Sequence, residues 1–231
     1  MKNINQFITE YIINKKLEKP IDSEHNYKYF PTTRQELFKI TQELIDKGQY
    51  DLNCINTEHI TDMNNLFVKV TDIDISGWDV SNVTNMSHMF YNCKKFDCDL
   101  SNWNVSKVKN MSCMFNRCDL FKGKGLENWN VSNVKDMSYM FLKCENFNCD
   151  LSKWNVSKVE NMSSMFYECK NFNCDLSKWN VSNVFDINDM FYDCIKFNCD
   201  LSMWDIGKVY RRFGTFYNCT SLKNKPIWYQ E

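Results

Sequence analysis

The chain is short of the residues that punctuate or power most proteins. It has three histidines, three prolines and six glycines, and its formal net charge is -1. So balanced a charge offers no overall field to draw the molecule towards nucleic acid or anionic lipid. Long apolar runs are missing as well. Polar residues interrupt every apolar stretch of the N-terminal MKNINQFITEYIINKKLEK, which therefore lacks the continuous core of about 7–15 residues that a secretory signal needs. No window approaches the roughly 18 apolar residues of a membrane span. The expectation is a cytoplasmic protein without a nucleic-acid or membrane partner, displayed at a surface only by a route the sequence does not show.

Catalytic signatures are absent too. No nucleophile elbow, phosphate-binding loop, HExxH or dinucleotide fingerprint appears. His25, His59 and His88 lie in unrelated contexts. The chain is expected not to be an enzyme, with no catalytic residue, no cofactor and no metal site. Disorder is excluded by composition, since 15% of the residues are aromatic and supply ample apolar surface to bury.

What the sequence does contain is a repeat. All seven tryptophans, Trp78, Trp103, Trp129, Trp154, Trp179, Trp204 and Trp228, stand 24 to 26 residues apart, the mark of a stacked array. The unit reads W-N-V-S-x-V-x-x-M-S-x-M-F-x-x-C-x-x-F-x-C-D-L-S-x. A degenerate copy precedes it, with Ile55 in the tryptophan position and Met63 and Phe67 in the M and F positions. The segment around Phe172–Val181 alternates as a short strand would. Val159, Met162, Met165, Phe166 and Cys169 are spaced as on two turns of helix. Together they predict an α/β repeat solenoid, a stack of about seven strand–short-helix rungs over residues 51–231, behind a helical N-terminal cap over 1–50. In that cap, Ile4, Phe7, Ile8, Tyr11, Ile12 and Leu17 share one face of a first helix over 3–17. A second helix runs from about 34 to 47, with a Thr33–Glu36 capping box and a stop at Gly48. Leu37, Phe38, Leu44 and Ile45 would face the first rung.

The twelve cysteines fall largely into two columns, Cys93, Cys118, Cys144, Cys169, Cys194 and Cys219, and Cys98, Cys149, Cys174 and Cys199. A reduced, buried ladder is the favoured reading, with disulfides between rungs or metal binding as alternatives. The Asn104, Asn130, Asn155 and Asn180 column reads as corner residues satisfying backbone groups. The Asp99, Asp150, Asp175 and Asp200 column reads as carboxylates facing water or accepting backbone hydrogen bonds, because a repeat gives all four one environment and a general acid and base need different ones.

The unit Trp154-Asn-Val-Ser-Lys-Val-Glu-Asn-Met-Ser-Ser-Met-Phe166 and its sister copies resemble the BspA-like surface-protein repeats, a variant leucine-rich-repeat family also seen in mycoplasma lipoproteins. The resemblance covers roughly residues 51–222. It implies a leucine-rich-repeat-like curved solenoid with a parallel sheet on one face, and binding rather than catalysis.

Function should therefore reside where the repeat varies. After the M-F pair come Tyr91, Tyr167, Tyr192 and Tyr217, residues suited to anchoring an interface. Phe185 and Tyr210 replace the polar residues of other copies, with Arg211 and Arg212 beside them. These eight are the candidate partner-binding residues. The expected function is a non-catalytic protein-interaction module with an unidentified protein partner. The alternatives are a structural protein that self-associates through its repeat surface and, if exported, a host-surface adhesin.

Overall fold

The computed structural model describes residues 26–229. The expected first helix, over 3–17, lies outside these residues. One α-helix lies among the described residues, α1 (Arg34–Asp46), which begins at Thr33, whose hydroxyl accepts the Glu36 amide while the Glu36 carboxylate accepts the Thr33 amide. It ends where Gly48 turns left-handed at φ 78° and donates to the Ile45 carbonyl. Leu37, Ile40, Thr41 and Leu44 are buried. Phe38, expected to face the core, is instead 41% exposed, with the Arg34 guanidinium 5.9 Å from its ring centre. Ile45 is only partly buried.

The repeats contain neither the expected strand nor the expected helix. Among the described residues the only helical segments are α1 and a three-residue 3-10 turn at Leu126–Asn128. Neighbouring copies are joined through isolated parallel bridges, running Asp62, Asn85, Asn110, Asp136, Asn161, Asp186, Arg211. The strand–short-helix, leucine-rich-repeat-like solenoid is thus corrected to a stack of coils built from turns.

Residues 156–179 show why. Successive four-residue turns close with Val159 N–H to Val156 O, Met165 to Met162, Cys169 to Phe166, Phe172 to Cys169 and Trp179 to Leu176, at 2.9–3.2 Å. The first and last residues of each turn are buried. Apolar residues three apart therefore mark turn ends, and that spacing is the same as on a helix face. Ser164 and Glu168 interrupt any helix, with φ of 52° and 56°. Each stands third in its turn, where a positive φ defines the type II form. The same two positions are left-handed in every copy, from Asn65 and Lys69 to Gly214 and Asn218. Left-handed backbone costs a non-glycine residue roughly 1–2 kcal/mol.

That cost is offset between coils. The left-handed residues turn alternate peptide groups along the axis of the stack, so Met162, Ser164, Phe166 and Glu168 each donate N–H to the following coil, on Asp186, Asn188, Met190 and Tyr192. Four such columns run through the stack with six hydrogen bonds in each, all 2.7–3.0 Å. Only one column of amides, from Thr84 to Tyr210, points the other way. At the N-terminal end, Arg34 of α1 donates Nε and Nη2 to the Asn64 carbonyl at 2.8 and 2.5 Å, closing one column. The α1 residues Leu37, Ile40 and Leu44 belong to the same core as the coils.

Side chains form parallel ladders inside. Phe67, Phe90, Phe115, Phe141, Phe166, Phe191 and Phe216 stack with ring centres 5.4–5.9 Å apart. Each tryptophan donates its indole N–H to a carbonyl of the preceding coil, as Trp154 does to Leu126 at 2.8 Å. The polar columns hold the corners. Asp150, Asn155 and Asn161 each accept, through Oδ1, the amide of the residue two further on, at 2.9–3.1 Å. These Asx turns recur along the stack, though not at the aspartate corner of the copy after Trp103, where Gly125 stands, and explain the N-x-S and D-x-S patterns structurally. The one-residue insertion in the copy after Trp103 is absorbed at Gly125, where φ is 94° and a Cβ would collide with the Ser101 backbone.

Two predictions follow the turns. Ser164→Val, a β-branched residue poorly suited to positive φ, is expected to lower stability by about 1–2 kcal/mol, whereas Ser164→Gly is expected to cost far less; urea unfolding of both variants checks this. The second concerns acid. The carboxyls of Asp150 and Asp200 are held below their usual range by the side chains and amides of Ser152 and Ser202. Asp99 is lowered to about 2, chiefly by Lys124 and then by Ser101. Since an unfolded Asp titrates near 3.9, their contribution is complete above about pH 4 and is lost as pH falls towards 2. The unfolding midpoint should drop over that interval, and replacing Asp150, Asp175 and Asp200 by Asn, which keeps the turn acceptor, should flatten the drop.

Candidate interaction surface

The residue after each M-F pair and its close neighbours form one outward strip along the stack. Each coil contributes a left-handed residue, the residue three further on and a second left-handed residue. In order these triplets are His88–Tyr91–Asn92, Cys113–Asn116–Arg117, Tyr139–Leu142–Lys143, Ser164–Tyr167–Glu168, Asp189–Tyr192–Asp193 and Gly214–Tyr217–Asn218.

The structure brings three of the four candidate tyrosines together. The Tyr167 and Tyr192 rings stack at 4.6 Å and 8°, and Tyr192 and Tyr217 at 4.6 Å and 17°. This spacing is tighter than that of the phenylalanine column inside. Tyr217 is 57% exposed, and the other two are half-buried by each other. Tyr91 stands apart, its ring 5.8 Å from His88, because Asn116 and Leu142 interrupt the column. Asn116 is buried, and its Oδ1 has no hydrogen-bond partner among the described residues.

Phe185 and Tyr210 form a second, separate stack at 5.6 Å. Tyr210 is 71% exposed, and the Arg211 guanidinium lies 5.9 Å from its ring centre. Arg211 also reaches buried Asp186, Nη1 to Oδ2 at 3.4 Å. Arg212 is half-exposed and joins neither stack. The C-terminal segment packs elsewhere, with Trp228 and Tyr229 against Phe216.

Sequence reasoning missed the carboxylates around the tyrosines. Burial pushes the Tyr167 phenol up, and Glu168, Asp193 and Asp189 add to it; burial also raises Tyr192, followed by the neighbouring Tyr167 and Tyr217 and then by Asp193 and Asp189. Glu168 is paired with Lys143 at 2.9 Å, and Asp193 accepts the Asn218 amide at 2.5 Å. Asp189 has neither hydrogen bond nor ion pair to its carboxylate among the described residues. Its carboxyl is raised, first by burial and then by Asp186, so it disfavours the folded state once ionised, the reverse of the Asx carboxylates. Beside it Gly214 is left-handed at φ 66°, and a Cβ there would collide with Asp189 Oδ1. The Asp189 carboxylate fills the space that a side chain at 214 would take. No local sequence signal joins Asp189 to Gly214, which meet only through the register of the stack.

The twelve cysteines are free. Those of the first column donate S–H to a phenylalanine carbonyl of the preceding coil, as Cys144, Cys169 and Cys194 do at 2.9 Å. Burial pushes their thiols up, Cys93 and Cys219 to about 12. In the second column Cys174 and Cys199 lie 3.5 Å from Asp150 and Asp175, along shallow grooves that include Asn173 and Asp175. Among the described residues no group of three or more His, Cys, Asp or Glu side chains is arranged to hold a metal ion, and no helix is long and apolar enough to cross a membrane.

Coils in register and a shared set of ladders define a tandem-repeat protein. A family model described as "Mycoplasma protein of unknown function, DUF285" matches twice, over residues 34–125 and 118–228, and the chain belongs to that family. The matches take in α1 as well as the coils. No curated protein and no solved structure matches the chain.

The buried thiols generate a prediction. The six first-column cysteines should resist a soluble thiol reagent at pH 8 in the folded protein and react only on unfolding in urea. More than six thiols titrating promptly in the native state would contradict the buried column, since six of the twelve cysteines lie outside it.

Proposed function

We propose that this chain is a non-catalytic interaction module that docks a protein partner on its tyrosine strip. One observation carries the reading. The Phe67–Phe216 column is buried throughout, but Tyr167, Tyr192 and Tyr217 carry the same stacking onto the outside. Rings already held by their neighbours lose little freedom on binding, which favours them as anchors. The coils support the strip rigidly through backbone hydrogen bonds on every turn. The resemblance to BspA-like surface proteins is consistent with binding. Thiols that serve as hydrogen-bond donors suit a reducing compartment such as the cytoplasm.

The test is a pull-down from the cell that makes the protein, with wild-type bait beside Tyr167→Glu/Tyr192→Glu and Phe185→Lys/Tyr210→Glu, all three confirmed as folded by circular dichroism. A partner held by wild type and by the Phe185/Tyr210 variant, but lost by the Tyr167/Tyr192 variant, is the expected result. Loss only with Phe185/Tyr210 would move the site to the second stack. Capture of the chain alone, with light scattering showing oligomers, would replace this reading by self-association.

A further inference from the structure

The tyrosine strip changes character along its length. Its N-terminal half carries His88, Arg117 and Lys143, and its C-terminal half carries Glu168, Asp189 and Asp193. The stacked tyrosines coincide with the acidic half. Three nearby cations are already engaged: Lys143 by Glu168 at 2.9 Å, Lys170 by Glu145 at 2.8 Å and Arg211 by Asp186 at 3.4 Å. The Asp189 carboxylate has no such partner among the described residues. It packs against the bare Cα of Gly214, in the same four-residue turn as Tyr192, whose amide donates to the Asp189 carbonyl at 3.1 Å.

We propose that the partner segment docked here is basic, an extended stretch of protein that places an arginine or lysine on Asp189 and against the Tyr192 and Tyr217 rings. The inference rests on the interaction-module reading and adds the chemistry of the partner. Two features fit a cation together. An unpaired carboxylate supplies a charge-assisted hydrogen bond, strongest with a planar guanidinium. Aromatic faces attract a cation through their ring quadrupole. Acidic or purely apolar segments would leave Asp189 facing like charge or stripped of water. Glu168 and Asp193 extend the negative field to either side, so a segment with several basic residues is favoured over a single one.

Fluorescence anisotropy with two labelled twelve-residue peptides, one alternating arginine with serine and one alternating glutamate with serine, tests the idea on the full chain. The arginine peptide should bind, weaken several-fold between 50 and 300 mM salt, and weaken about tenfold with Asp189→Asn and with Tyr192→Leu. Asp193→Asn, which keeps an acceptor for Asn218, should weaken it less, and Asp205→Asn, outside the strip, should leave it unchanged. Equal affinity for the two peptides, no affinity for the arginine peptide, or indifference to Asp189→Asn would each overturn the basic-partner proposal. If the natural partner depends on Tyr167 and Tyr192 but not on Asp189, the tyrosine surface stands and only the charge assignment falls. If an arginine peptide binds wild type and Asp189→Asn/Tyr192→Leu alike, it binds somewhere else and both readings lose their support at this site.

Discussion

Everything in this molecule depends on the hydrogen bonds that run from coil to coil along the axis. A turn-built coil of 25 residues has few partners for its own backbone, and half of the amides between Met162 and Cys169 have none within the coil. Four columns of interchain-style pairing inside one chain satisfy them. The ladders of phenylalanine, tryptophan and cysteine then follow, because any residue at a fixed position meets its own counterpart one coil away. Stability accumulates copy by copy through contacts with nearest neighbours.

The repeat itself was plain in the sequence, carried by the spacing of seven tryptophans, and so was α1, whose Thr33 and Glu36 announce its start. The conformation within each coil was not. Val159, Met162, Met165 and Cys169 have the spacing of a helix face, yet they are the ends of turns. Glycine would have given the turns away, but the left-handed positions are filled by Asn65, His88, Cys113, Tyr139, Ser164 and Asp189, with glycine appearing only at 214. The informative signal lay in polar residues instead. Asp150, Asn155 and Asn161 each precede a serine by two, and three Asx corners in one period are hard to accommodate in a helix.

The candidate surface was legible to the same partial degree. Tyr167, Tyr192 and Tyr217 could be picked out because they break a column at an outward position, and the fold brings them into one stack. Tyr91 satisfied the same rule and is isolated, since the rule takes no account of Asn116 and Leu142 lying between. Asp189 was invisible for a different reason. Its significance comes from what surrounds it, and Gly214, against which it packs, is 25 residues away. Repeats with variable outer columns place such pairs by register alone, so a single change in one copy alters the environment of the next.

The aligned peptide groups also give the stack an electrical direction. With four columns of amides pointing one way and one opposing them, the partial charges do not cancel. The carbonyl end, where Arg34 sits on Asn64, is the negative pole, and the Arg212–Asn218 coil is the positive one, an arrangement equivalent to a bundle of parallel helix macrodipoles. Two such molecules cannot meet symmetrically at their ends without opposing like poles. The poles thus favour a head-to-tail sense for any end-on contact, with α1 standing across one of the two faces involved.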